Sequence, residues 1–445
     1  MLANEKISKL LFKLSVPAIF GMLTQALYNI VDTIFVGRAY GAESIQAIGG
    51  IAVAFPIQMI VMAVNLAIGI GGSSRISRYL GEKEQEKADK TFSNQIFLSL
   101  ISSFLITGVG IYYKVPLLKI FGATDTILPY SLEYVEIILY GTILFSLAVV
   151  TNGVARAEGN AKVAMNSMMI AGVLNIILDP LFIFTFGMGI KGAAIATVLA
   201  QAVGVIYIAY YFLRGKSTLN FRFAYLYPEG QILKEILSIG VSPFTRNVSN
   251  SLMIIILNNL LAFYGGDIAI AVFGIANRLQ TFILMPMFGI VQGLQPIVGF
   301  NYGARNFGRV RESTKLAILI NTSLAVAGFL IIYLFPEQLF GIFSTDAQLI
   351  AEGKTAIRIM MLTTPVVGFQ IVGGAFYQAI GKAKPSFFLS MCRQILFLIP
   401  LVLILPRYLN LFGVWAAFPI ADILAVSITL TMIRQEFKLL AKNQA

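Results

Sequence analysis

The stretch LLFKLSVPAIFGMLTQALYNIVDTIFVG, Leu10 to Gly37, decides the fold. It is apolar almost throughout and longer than the roughly 20 helical residues that cross a bilayer. Asp32 is its only acid. A carboxylate at that depth costs roughly 3 kcal/mol or more unless it faces a wet cavity or a partner. An acid kept at such a cost reads as an ion or proton site.

Similar apolar runs recur along the chain, twelve in all. They are centred near Leu23, Met59, Ser102, Ile143, Ile176, Val203, Ile255, Leu284, Val326, Thr364, Phe397 and Val426. Of the 445 residues, 58% are hydrophobic and 12% charged, and the mean hydropathy is +0.82. Soluble domains carry about 25% charged residues. The composition therefore predicts an all-α integral membrane protein with twelve transmembrane helices. The first run is too long for a signal-peptide core and lacks a small-residue cleavage site, so it reads as a span.

The same composition excludes several chemistries. There is one cysteine, Cys392, and no histidine. Multi-cysteine metal sites, histidine proton relays and Ser-His or Cys-His pairs are thereby removed. No phosphate-binding loop is present, so direct ATP hydrolysis and an integral membrane enzyme find little support, and no cofactor is expected. The net charge of +12 reflects loop bias and not nucleic acid. Lys and Arg in the loops on the amino-terminal side outnumber those on the other by more than three to one. By the positive-inside rule both termini are cytoplasmic, in a multi-pass protein of the plasma membrane.

The polar stretch RGKSTLNFRFAYLYPEGQ, Arg214 to Gln231, separates the sixth and seventh spans. It suggests an N-terminal six-helix lobe over 1–218, a cytoplasmic linker over 219–231 and a C-terminal six-helix lobe over 232–445. The lobes align. LSVPAIFGMLTQALYNIVD matches IGVSPFTRNVSNSLMIIILN, with Pro17 over Pro243 and Asp32 over Asn258. NGVARAEGNAK (Asn152 to Lys162) matches GAFYQAIGKAK (Gly374 to Lys384), and GIKGAAIAT (Gly189 to Thr197) matches NLFGVWAAF (Asn410 to Phe418). Both copies enter from the same side, so their pseudo-two-fold runs along the membrane normal. Such lobes can rock around a central cavity.

Gln25, Tyr28 and Asp32 share one face of helix 1 by spacing. A polar face on a membrane helix must look into protein or water. In helix 5, Asn175 and Asp179 are one turn apart, and Pro180 predicts a local kink. Asp32 and Asp179 lie at similar depth toward the outer side, which allows one shared site. Asn152, Thr197 and Gln201 add uncharged oxygens, or serve as ordinary interhelical hydrogen bonds. Two nearby carboxylates can exchange a proton. The same oxygens, with sodium at Asp32, Asp179 and Asn175, suit a hard cation; no structural metal is expected. Arg393 and Asp422 read as a neutralising pair between helices 11 and 12, and Arg246 and Arg278 balance charge in the second lobe. Met285, Met287, Phe282 and Phe55 are candidates for an adaptable cavity lining. Pro17 lets helix 1 bend.

Together these motifs resemble the MATE family of multidrug and toxic compound extrusion transporters. The residues that carry the resemblance are Pro17, Gln25, Tyr28 and Asp32 on one helix, Arg156 to Gly159 after Asn152, LNIILDP (Leu174 to Pro180), and GLQPIVGFNYGARN (Gly293 to Asn306). The likeness covers essentially the whole chain and implies export of amphipathic, often cationic compounds in exchange for protons or sodium. The pattern is similar to the DinF-like prokaryotic branch. That implies coupling acids at Asp32 and Asp179, support from Tyr28, Asn152, Asn175 and Thr197, and a first-lobe cavity lined by Gln25 and Tyr134. Helices 7 and 10 carry no Asp or Glu, unlike the NorM-like branch. The expected partners are small-molecule substrates, H+ or Na+, and the bilayer, for a monomer. A lipid-linked sugar flippase of the related superfamily is the alternative, although such a protein needs a larger cationic groove.

Overall fold

The computed structural model describes residues 1–40 and 44–442, with only the backbone of Ile45. The predicted lobes include residues 41–43 and 443–445, which lie outside the described residues. Every regular element among the described residues is helical. The first half contains α1 (Ile7–Ala39), α2 (Ser44–Glu82), α3 (Gln85–Tyr112), the short α4 (Lys114–Ile120), α5 (Leu128–Ala157), α6 (Ala161–Pro180) and α7 (Gly189–Leu213). The second contains α8 (Gly230–Gly303), α9 (Phe307–Leu334), α10 (Pro336–Gly341), α11 (Ala347–Met360), α12 (Thr364–Ala379), α13 (Ala383–Met391), α14 (Ile399–Ile404) and α15 (Pro406–Lys442).

Ten of these segments are individually long and apolar enough to span, and α11 with α12 forms an eleventh, bent by 52°. The 74-residue α8 breaks at Gly266, whose φ of 64° and ψ of −160° are non-helical, and so supplies two spans. This accounts for twelve crossings. The tenth differs from the continuous helix expected around Thr364. Pro365 has no N–H to give to a preceding turn and so suits the first turn of a new helix, and the chain turns at Met361–Thr363 before α12 starts.

The internal repeat is visible in local geometry. Gly159 and Gly381, paired by the sequence alignment, both adopt left-handed φ, at 93° and 78°. The next residue closes the same six-residue turn in each: Asn160 N donates to Ala155 O, and Lys382 N to Tyr377 O. This is the glycine-assisted helix stop, which satisfies carbonyls that the helix end leaves open. The second aligned pair behaves alike, with Gly189 at φ 54° and Asn410 at φ 49°. Asparagine tolerates this region better than other side chains. A π-helical segment precedes each, at Leu181–Thr185 after Pro180 and at Cys392–Leu398. Pro180 has no N–H to give to the preceding turn, and the irregularity predicted there takes this form.

The chain packs as two compact units. The first is Val16–Gly240; the second is Met1–Ser15 with Val241–Ala445. The division thus passes through α1 and α8, next to the aligned Pro17 and Pro243. In the first unit, Gly71 and Gly240 let α2 and the start of α8 meet closely. A Cβ on either would strike the backbone of Ile236 or of Ala67. In the second unit, Gly293 packs likewise against Ser15, whose Oγ donates to Ile290 O.

The segment between α7 and α8 is held to the first unit by polar contacts. Asp89 Oδ1 accepts from Asn220 N at 3.0 Å, Asn94 Oδ1 from Glu229 N at 2.8 Å, and Arg75 pairs with Glu235 at 2.6 Å. The Glu158 carboxylate accepts from the Tyr211 hydroxyl, Ser217 Oγ, Thr218 N and Thr218 Oγ1. Hydrogen bonds to a charged group contribute about 1.5–3 kcal/mol. Glu158→Ala is therefore expected to lower stability by roughly 2 kcal/mol and to open residues 214–231 to protease. Limited proteolysis beside thermal melting in detergent checks this; unchanged cleavage would show that the other contacts suffice.

Candidate functional site

Two apolar clusters mark the ends of the first unit. One joins Val36, Leu118, Val135, Leu139, Ile183 and Ile190; the other joins Ile76, Phe92, Val154, Ile208 and Phe212. Along α7, Thr197 lies between Ala194 of the one and Ile208 of the other. Tyr134 itself belongs to the first cluster, and Asn152 precedes Val154 of the second.

Asp32 is buried in α1. Tyr28 lies one turn earlier on the same helix, within electrostatic reach of both Asp32 and Asp179. Asp179, fully buried, is likewise within electrostatic reach of Asp32. Asn175 ties α6 to α7: its Nδ2 donates to Asp179 Oδ1 at 3.0 Å and to Thr197 Oγ1 at 3.3 Å. The spacing of Asn175 and Asp179 on one helical face makes the first bond, and the third partner comes from the neighbouring helix. Tyr134, in α5, is buried and senses Asp32, Asp179 and Tyr28; its hydroxyl accepts from Gln58 Nε2 at 3.3 Å.

Four oxygens in these residues are buried with no hydrogen-bond partner: Asp32 Oδ1, Asn152 Oδ1, Asn175 Oδ1 and Asp179 Oδ2. Buried oxygens without partners are costly. All four are acceptors, which a hydrogen-bond donor or a hard cation can satisfy. Among the described residues, neither Asp32 nor Asp179 forms an ion pair with Lys or Arg. Asn152 is buried in α5, and among the described residues no hydrogen bond joins it to the Asn175 group.

The remaining candidates fall outside this cluster. Phe55 is exposed on α2, and Met285, half-buried on α8, belongs to the second unit. Pro17 sits inside α1, which continues as helix through it. In the second unit the expected pair forms: Arg393 Nε donates to Asp422 Oδ1, and Thr363 Oγ1 donates to Asp422 Oδ2 at 2.9 Å. Gln58, a partner that the helix spacing does not point to, is the lone polar residue of AFPIQMIVMAV.

The stretch Gly293–Asn306 turns out to be a clasp. Asn301 Nδ2 donates to Ile297 O at 2.8 Å and to Leu2 O at 3.3 Å, while Arg309 donates to Asn301 Oδ1 and to Glu5 O at 2.7 Å. It anchors the N-terminal segment within the second unit. Backbone carbonyls as partners leave no trace in sequence.

Comparison with known proteins agrees with this architecture. The MatE family model matches residues 17–181 and 244–404, one match in each repeat. The multidrug export protein MepA of Staphylococcus saprophyticus is 27% identical over 419 residues, covering 94% of this chain and 92% of its own. The solved MATE multidrug transporter DinF-BH, in complex with rhodamine 6G, is 44% identical with a TM-score of 0.89, covering 96% of this chain and 95% of its own. A transporter of the MOP superfamily from Pyrococcus furiosus superposes with a TM-score of 0.92 at 31% identity, covering 99% and 98%. With most of both repeats matched, the chain belongs to the MATE family of multidrug transporters, multi-pass membrane proteins that are secondary transporters and not enzymes.

Proposed function

We propose that this protein is an antiporter of the plasma membrane that exports amphipathic, cationic compounds in exchange for H+ or Na+, with both termini cytoplasmic. The observation that carries the reading is the pair of buried acids, Asp32 and Asp179, with oxygens left unpartnered beside Asn175 and Thr197 in the first unit. The repeat places Asn258 at the position of Asp32, so the acidic site has no copy in the second unit. For a monovalent cationic drug exchanged against one cation the electrical work cancels and the cation's concentration gradient drives export; a second inward cation would add about 2.3 kcal/mol per 100 mV.

Cation arrival and drug departure would be linked through these carboxylates. A proton or Na+ on Asp32 and Asp179 removes the counter-charge that holds a cationic drug and completes the oxygens that lack partners. Tyr28, Gln25 and Tyr134 would contact the drug, because they carry aromatic and amide groups beside the acids. The relatives support the substrate class: MepA is a multidrug export protein, and DinF-BH was solved with rhodamine 6G bound. The test is ethidium or rhodamine 6G flux in proteoliposomes, with a pH gradient or a sodium gradient applied separately. One gradient is expected to drive export and the other not. No flux under either would remove the antiport reading.

A further inference from the structure

The second unit holds a cation without a carboxylate. Arg246 lies in the first stretch of α8, eleven residues beyond Glu235, which pairs with Arg75 of α2. At 1.5 Å per residue that is about 16 Å farther along the apolar helix than this ion pair. Two other cations of this unit are neutralised: Arg393 by Asp422, and Lys382 by Glu436 nearer the surface. Arg278, farther along α8, is exposed, whereas Arg246 is half-buried. Among the described residues, Arg246 forms no ion pair. Its guanidinium instead stands 5.4 Å over the ring of Phe288, from the second stretch of α8.

The surroundings are polar where lipid would demand apolar groups. Asn250 is one turn from Arg246 and so on the same face. Gln394, in the π-helical segment after α13, donates to Asn250 Oδ1 at 3.1 Å, and its own Oε1 is buried without a partner. The repeat sharpens the contrast. Aligning Pro17 with Pro243 puts Phe20 at the place of Arg246. One unit therefore carries unpaired acids and the other an unpaired base.

We propose that Arg246, with Phe288, Asn250 and Gln394, forms a recognition site for the anionic group, carboxylate or phosphate, of an amphipathic ligand. Phe288 holds the guanidinium by its ring face and leaves the donor edge free, and a planar fork suits a two-oxygen anion. The ligand chemistry is an anion on an apolar body, which a zwitterionic drug or an anionic lipid can each provide. The inference extends the export reading to compounds bearing a carboxylate, yet it concerns binding and is measured without any gradient.

The experiment compares rhodamine B with its ethyl ester, which differ by the carboxylate charge. Equilibrium binding to full-length protein is measured by fluorescence polarisation in nanodiscs of phosphatidylcholine, with and without phosphatidylglycerol. In phosphatidylcholine, Arg246→Gln is expected to weaken rhodamine B binding by about tenfold or more while leaving the ester nearly unchanged. Arg246→Lys keeps the charge, guards against misfolding, and should retain part of the preference. Should rhodamine B bind wild type less well only when phosphatidylglycerol is present, and Arg246→Gln erase that difference, the lipid headgroup occupies the site. Equal effects of Arg246→Gln on both dyes, or none in any lipid, would overturn the proposal. Failure of ion-driven flux with normal rhodamine B discrimination would strike the antiport reading and leave this one standing.

Discussion

Asp32→Asn is expected to abolish ion-driven export, lowering gradient-dependent ethidium flux by at least about tenfold, without unfolding the protein. The substitution keeps the shape of the side chain and removes only its capacity to titrate or to carry charge. Removing a charge from a buried site whose oxygen is unpartnered should leave stability unchanged or slightly raise it, because burial of an unpaired carboxylate is itself unfavourable. Asp179→Asn should behave alike. Its amide oxygen can still accept from Asn175 Nδ2, so the link through Asn175 to Thr197 survives. A merely structural acid would show the opposite pattern, with lost stability and normal coupling per folded molecule. Flux normalised to folded protein, beside thermal melting in detergent, separates the two. Full ion-driven export by Asp32→Asn would sink the coupling assignment.

What was legible in the sequence follows from how strongly each feature is written there. A charge in an apolar run is costly, so Asp32 and Asp179 announce themselves. Spacing on one helix is equally plain, and the Asn175–Asp179 bond follows from it. The repeat could be read because glycine and asparagine favour left-handed backbone, as at the helix stops of Gly159 and Gly381 and at the aligned Gly189 and Asn410. Contacts to backbone were invisible. Nothing in Asn301 or Arg309 says that they will hold the carbonyls of Leu2 and Glu5. The division of packing within α1 and α8 was equally hidden, because helical sequence continues smoothly through Ser15 and Gly240. The break in the tenth span was foreshadowed by Pro365, but hydropathy averages over the three residues that make the turn. Phe55 and Met285 were chosen by residue type alone, which carries no direction.

The Arg393–Asp422 pair offers the second large effect, and here stability and not transport is the readout. Asp422 is almost fully buried and Arg393 about one-fifth exposed. Asp422→Leu would leave the guanidinium in the π-helical segment with no counter-charge and Thr363 without its acceptor. Removing one partner of a buried pair costs about 3–5 kcal/mol; the partial exposure of Arg393 argues for the lower end. Replacing both, as Arg393→Met with Asp422→Leu, should recover most of that loss, since a pair of apolar residues has no charge to desolvate. The double-mutant cycle, read as thermal unfolding in detergent, is therefore expected to be strongly non-additive. If the double variant were as unstable as the sum of the singles, the pair would not be a neutralising one, and Arg393 would join Arg246 as a cation held for a ligand. The two arginines differ in partner, a carboxylate at Arg393 and an aromatic ring at Arg246. The cycle at Arg393 thus measures what a paired guanidinium contributes to the fold, against which the unpaired one at Arg246 can be judged.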